Sequence, residues 1–125
     1  GLTGGDVGTS WLLPRIVGFG RALEILMTGR FVDAEEALRI GMVTEIASES
    51  DLLERAVETA KLICRNSPFG VRMTKKVLQA NVDASSLDAA IDLENRNQVL
   101  AFQTDDMREA FNAFREKRDP RFTGH

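Results

Sequence analysis

The chain has 125 residues, 43% of them hydrophobic, and a formal net charge of −3. This size suits one globular core. The acidic balance and the scattered Lys and Arg exclude a basic stripe for nucleic acid, apart from a short run of Arg115, Lys117, Arg118 and Arg121. Cys64 has no second cysteine to pair with, which points to a reducing compartment. His125 is the only histidine, and tyrosine is absent. This disfavours a Ser-His-Asp triad and a histidine metal site, leaving carboxylates, lysines and Cys64 for acid–base chemistry. No apolar run approaches the ~20 residues that span a bilayer, and no signal-peptide pattern is present. A cytoplasmic location is expected.

In chain order, a glycine-rich opening leads to a short predicted helix over Thr9 to Val17, with Pro14 inside it. Proline is tolerated in a first helical turn. Gly18 and Gly20 punctuate, and a second helix is predicted from Arg21 to Thr28 with Gly29 as its cap. Its apolar residues fall nearly all round, so it is expected to be well buried. Asp33 starts the next helix, with Glu35 and Glu36 in its first turn and Gly41 at its end. Met42 to Ala47 alternates apolar and polar residues, with β-branched Val43 and Ile46, and reads as one short strand. A single strand needs a partner. That partner lies in Gly1 to Gly5, around Arg30 to Val32, or outside the chain.

Ser50 caps a longer predicted helix to about Asn66, with Leu53, Ala56, Val57, Ala60, Ile63 and Cys64 at helical spacing. Ser67 and Pro68 stop it and start another, where Phe69, Met73 and Val77 line one face to Asn81. Arg72, Lys75 and Lys76 read as a solvated face. Ser85 or Ser86 begins a helix to Phe102 whose apolar face is interrupted by Glu94, Asn97 and Gln98, a surface that expects a partner. Thr104 caps the last helix, striped by Met107, Ala110, Phe111 and Phe114, and an extended tail follows Asp119 and Pro120.

Five segments, in order, resemble the crotonase superfamily, the enoyl-CoA hydratases and isomerases. They are Gly8 and Thr9 through Leu13, Pro14, Arg15 and Gly18; Ala22 to Glu24 through Thr28, Gly29 and Arg30; Ala34 to Ala37 through Gly41 and Val43; Ser67 and Pro68 with Lys75 and Lys76; and Phe114 to Phe122. The resemblance runs nearly end to end and is to the C-terminal part of such enzymes. It implies a mostly α chain with one or two short strands. Residues 1–66 would close a ββα spiral, and residues 67–125 would form a helical oligomerisation region. The implied assembly is a trimer or a dimer of trimers. The implied substrate is a coenzyme A thioester, with no further cofactor, no metal, no nucleic acid and no membrane.

In this family two backbone N–H groups stabilise the thioester enolate while carboxylates move protons. By the resemblance, those donors and the hydratases' two glutamates lie upstream of Gly1, so the chain is expected to act with an N-terminal portion. Its own catalytic candidate is Asp6, which matches an acid–base aspartate in the Asp-Val-Gly-Thr context of the dienoyl-CoA isomerase branch. The competing reading is a helix cap. Gly4, Gly5 and Gly8 serve either ligand approach or turn geometry; no P-loop pattern follows them. Trp11, Leu12 and Met27 line either an acyl pocket or a core. Phe114 and Lys117 match positions that approach the adenine and phosphates of CoA, against the plainer reading of a stripe's end and a solvated charge. The reaction implied is hydration or a double-bond shift of an enoyl-CoA. The alternative is a non-catalytic helical oligomerisation module derived from that family.

Overall fold

The computed structural model describes residues 1–125 and contains seven helices. They are α1 (Thr9–Val17), α2 (Phe19–Thr28), α3 (Ala34–Arg39), α4 (Leu52–Cys64), α5 (Pro68–Asn81), α6 (Leu87–Phe102) and α7 (Asp105–Glu116). The chain divides into two compact units, Gly1–Arg55 and Ala56–His125.

In the first unit α1 packs against α2. Pro14 falls beyond the first turn of α1, where it removes one intrahelical bond; its carbonyl still accepts the Gly18 N–H at 3.0 Å. Contact with α2 sustains so short a helix, since tertiary packing outweighs propensity at this length. Helix α2 starts at Phe19, earlier than the glycine punctuation indicated, because Gly18 takes a positive φ and makes the corner itself. Val17, Ala22, Ile25 and Ile40 form the core, with Leu13, Val32 and Met42 packed around it. The good burial expected of α2 holds for one face only: Ala22 and Ile25 are buried, while Leu23 and Met27 are exposed. The cap on α3 is the expected one, with the Asp33 carboxylate accepting the Glu36 N–H at 2.8 Å.

The strand expected at Met42 to Ala47 is absent, and the whole chain is helical without a sheet. This overturns the mixed fold class and the ββα spiral element. The physical reason lies in the hydrogen bonds. The Met42 and Val43 N–H groups donate to the Ala37 carbonyl at 2.8 and 3.3 Å, closing the end of α3 after the positive-φ Gly41. Those donors are spent on a helix terminus. Neither Gly1 to Gly5 nor Arg30 to Val32 is extended beside the segment as a ladder partner.

In the second unit α5 contacts α6, and α6 contacts α7. Each helix carries its own hydroxyl cap: Ser67 accepts the Gly70 N–H at 3.3 Å, Ser86 the Ala89 N–H at 3.1 Å and Thr104 the Met107 N–H at 3.2 Å. The apolar stripe read on α4 exists as a face but is uncovered, with Leu53, Val57 and Ile63 all exposed. The only buried residues of this unit are Ala113 and Asp106.

Candidate functional site

Asp6 lies in the turn that leads into α1. The Thr9 N–H donates to the Asp6 carbonyl at 2.8 Å. Between them Val7 and Gly8 both take positive φ, 42° and 87°, the geometry of a type I′ turn. A β-branched residue is strained in that region. The Asp6 carboxylate accepts the Val7 N–H at 2.7 Å and is otherwise exposed. It does not cap α1: the cap position is Gly8, and no side chain bonds there. Gly4 supplies a close approach to the chain itself, since a Cβ there would lie 2.9 Å from the Leu26 carbonyl oxygen.

Trp11 and Leu12 follow on the first turns of α1, about half exposed at 52% and 56%. The Arg15 guanidinium lies over the Trp11 ring, 3.4 Å from its centre, and donates to the Trp11 carbonyl at 3.0 Å. Met27 stands on α2, 78% exposed. Asp6, Trp11 and Leu12 thus share the start of α1, while Met27 sits on the helix packed against it. None of the three apolar residues belongs to the core.

Phe114 and Lys117 lie in the other unit, one helical turn apart at the end of α7. Phe114 is 86% exposed, and Lys117 ends the helix in the left-handed conformation at φ 54°. The basic run around them is not a uniform patch. Arg118 is engaged by Glu109 and Glu116 at 2.6 and 2.7 Å, whereas Lys117 is exposed.

Two polar clusters went unread in the sequence. The Arg30 guanidinium grips Glu24 at 2.7 and 2.9 Å and Glu36 at 2.7 and 2.9 Å. It ties the loop before α3 to both helices, and its hydrogen bonds hold the Glu24 and Glu36 carboxyls below their ordinary range. Their even placement on either side of Arg30 in sequence was the available signal. Asp106 and Glu109 gather the residues after α7. Asp106 reads in sequence as an ordinary first-turn acid behind the Thr104 cap, so its burial was not legible there.

A groove of about 810 Å³ runs along α5, lined by Ile63, Val71, Thr74 and Leu78 among others. A smaller one of about 290 Å³ is lined by Met73 and Val77 together with Glu94, Asn97 and Gln98, the residues that interrupt the apolar face of α6. No group of His, Cys, Asp and Glu is arranged to hold a metal ion, and no helix is long and apolar enough to cross a membrane.

The sequence matches the family described as enoyl-CoA hydratase/isomerase over residues 1–125. It is 40% identical over 124 residues to a probable enoyl-CoA hydratase, EchA12, of Mycobacterium tuberculosis, covering 98% of this chain and 44% of that protein. It is 34% identical over 119 residues to the 1,2-epoxyphenylacetyl-CoA isomerase of Escherichia coli, covering 95% of this chain and 45% of the relative. Among solved structures, the putative enoyl-CoA hydratase of Streptomyces coelicolor superposes with a TM-score of 0.89 at 39% identity, over 99% of this chain and 45% of that one. The chain therefore spans less than half the length of these relatives. An end-to-end family match, joined to helices that superpose on a solved relative, places this chain in the enoyl-CoA hydratase/isomerase, or crotonase, family.

Proposed function

We propose that residues 1–125 act as a helical assembly module of a crotonase-type protein, binding other subunits through apolar helix faces and holding no complete catalytic centre among themselves. The observation that carries this reading is exposed apolar surface on a sheet-less chain. Two separately folded units the size of Gly1–Arg55 and Ala56–His125 would together expose about 8,000 Å² by the usual scaling. The chain exposes 10,164 Å². The excess of about 2,000 Å² is well above the ~800 Å² that one partner gives to a standard interface. Its apolar part includes Leu53 and Leu62 on α4, Leu78 on α5, Leu87 and Val99 on α6, and Phe111 on α7. On this reading residues 67–125 pack subunits into a trimer or a dimer of trimers, and residues 1–66 form the part nearer the substrate.

Sedimentation velocity over a concentration range tests it. The expected result is a self-associating species that Phe111→Ser and Val99→Ser shift toward monomer without loss of helix content. A monodisperse monomer at all concentrations sinks the assembly reading.

A second reading concerns the intact enzyme, and the free state of Asp6 favours it. Its carboxylate is spent on no cap and is held only by the neighbouring Val7 N–H. In a protein with the remaining donors in place, Asp6 would move the proton in a double-bond shift or hydration of an enoyl-CoA. Trp11, Leu12 and Met27 would contact the acyl chain. Phe114 would stack on adenine while Lys117 meets a CoA phosphate. In the intact protein, Asp6→Asn is expected to remove turnover and keep thioester binding. Unchanged turnover removes Asp6 from the chemistry. Lys117→Ala is expected to weaken CoA more than dephospho-CoA, and equal weakening of both removes the phosphate contact.

A further inference from the structure

Residues 118–125 form no regular element, yet they run back along α7 tied to it at successive points. Asp106 and Glu109 stand one helical turn apart on α7 and share a face. Glu109 takes the Arg118 guanidinium at 2.6 and 3.0 Å and the Arg121 N–H at 2.7 Å. Asp106 takes the Thr123 N–H at 2.7 Å and the Gly124 N–H at 3.2 and 3.1 Å. It also accepts the Ser67 hydroxyl at 2.9 Å, at the cap of α5, and its own N–H donates to the His125 carbonyl at 3.2 Å. The farther along the tail, the earlier its contact on α7.

Two observations say that these ties do more than decorate a surface. Asp106 is the one buried charged residue, 1% exposed, and no cation is paired with it. A buried carboxylate persists only when its lone pairs are filled by donors. Here the backbone donors come from the tail. Removing the tail would strand the charge, and neutralising the charge would free the tail. The second observation is Lys117, which sits in the left-handed conformation that glycine normally fills at a helix end. The turn is closed by the Arg118 N–H on the Ala113 carbonyl at 3.0 Å, and it aims the chain back at Glu109. That conformation carries an energetic cost for a lysine, and the returning segment is attached directly after it.

We infer that residues 118–125 are a strap, with Asp106 and Glu109 as positioning residues that fasten it and so hold the left-handed turn at Lys117. The strap stands on its contacts alone. Its consequence, a fixed orientation for Phe114 and Lys117, rests on the CoA reading above.

Site-resolved amide exchange on the intact protein, comparing the parent with Asp106→Asn and Glu109→Gln, tests the strap. Asp106→Asn is expected to speed exchange at Thr123 and Gly124 by about tenfold or more, the worth of a hydrogen bond to a charged group. Glu109→Gln is expected to do the same at Arg121, and to speed exchange at Lys117 and Arg118. The amides of α5 and α6 keep their parental rates. Unchanged rates at Lys117 and Arg118 in Glu109→Gln overturn the proposal. So does a uniform rise over α5 to α7, which would mark general destabilisation. CoA titrations of Phe114→Ala and Lys117→Ala run alongside. Parental affinity in both ends the CoA reading while the exchange result still judges the strap. If both weaken CoA but Glu109→Gln, with its turn loosened, does not, the positioning role fails.

Discussion

The two compact units keep themselves together in opposite ways. In Gly1–Arg55 the buried residues are apolar: Val17, Ala22, Ile25, Ala37 and Ile40. In Ala56–His125 they are one alanine and one aspartate; large apolar side chains stand exposed in both units, among them Phe19 and Phe31 in the first and Leu87 and Phe111 in the second. The first unit resembles a small domain with a centre. The second resembles a set of capped helices held by a polar clasp, with apolar faces unspent. The difference shows what an amphipathic stripe in a sequence means. It reports that a face will be covered and leaves open whether the same unit covers it.

The sharpest way to break this contrast is by truncation. Ile25→Ala removes a side chain from the small apolar centre and is expected to cost about 2–4 kcal/mol, read by urea denaturation. Leu87→Ala on exposed α6 is expected to cost under about 0.5 kcal/mol in a dissociated chain. Similar costs at the two positions would erase the distinction. Asp106→Ala takes away the one buried charge and is expected to cost about 2–3 kcal/mol, leaving tail N–H groups unpaired. A loss below that of a cap residue would demote the clasp to a surface contact.

Acid separates the units next. Burial alone pushes the Asp106 carboxyl up. The Thr123 N–H, the Ser67 hydroxyl and the Gly124 N–H outweigh it and hold the group below its ordinary 3.8. The Arg118 guanidinium, followed by the Arg121 N–H, holds Glu109 down at about 2 against an ordinary 4.5. Depressed carboxyls stabilise the folded form above their ordinary values, and that contribution is lost as pH falls through the folded ones. The tail amide at Arg121 should therefore lose protection between about pH 4 and pH 2, and those at Thr123 and Gly124 as Asp106 is protonated below its ordinary range, while those of α1 and α2 around the apolar centre lose less. Equal acid loss in both units counts against the clasp. The Arg30 ties to Glu24 and Glu36 follow the same sign, so Arg30→Met provides the control that removes their share of the first unit's acid sensitivity, leaving that of Asp51, which Ser48 and Ser50 hold low.

The caps contribute less than the apolar centre and the clasp. Ser86→Ala removes one acceptor from the start of α6 and is expected to cost about 1 kcal/mol. Ser67→Ala should exceed it, because Ser67 also donates to Asp106. Equality of the two would show that the Ser67 bond to Asp106 adds nothing.

Much of this was legible in residue order. The caps at Asp33, Ser67, Ser86 and Thr104 lie where short polar side chains precede apolar periodicity, a local rule that local structure obeys. The family motifs were legible for a similar reason, being contiguous stretches. The strand at Met42 to Ala47 was misread because alternation describes a segment's own side chains. A strand exists only if another segment takes its N–H and C=O groups, and here α3 claimed the Met42 and Val43 donors. Asp6 was legible as a candidate, whereas its freedom from capping required the positive φ at Val7 and Gly8.

The sequence by itself determined the family and the starts of most helices, α2 excepted, since these depend on neighbours a few residues apart. Tertiary structure alone decided which apolar faces found cover, which arginine met which carboxylates, and that Asp106 is buried. Those outcomes depend on groups such as Ser67 and Gly124, far from Asp106 in the chain and brought to it only by folding. An aspartate's solvation is set by what arrives around it, and residue order does not contain that information locally.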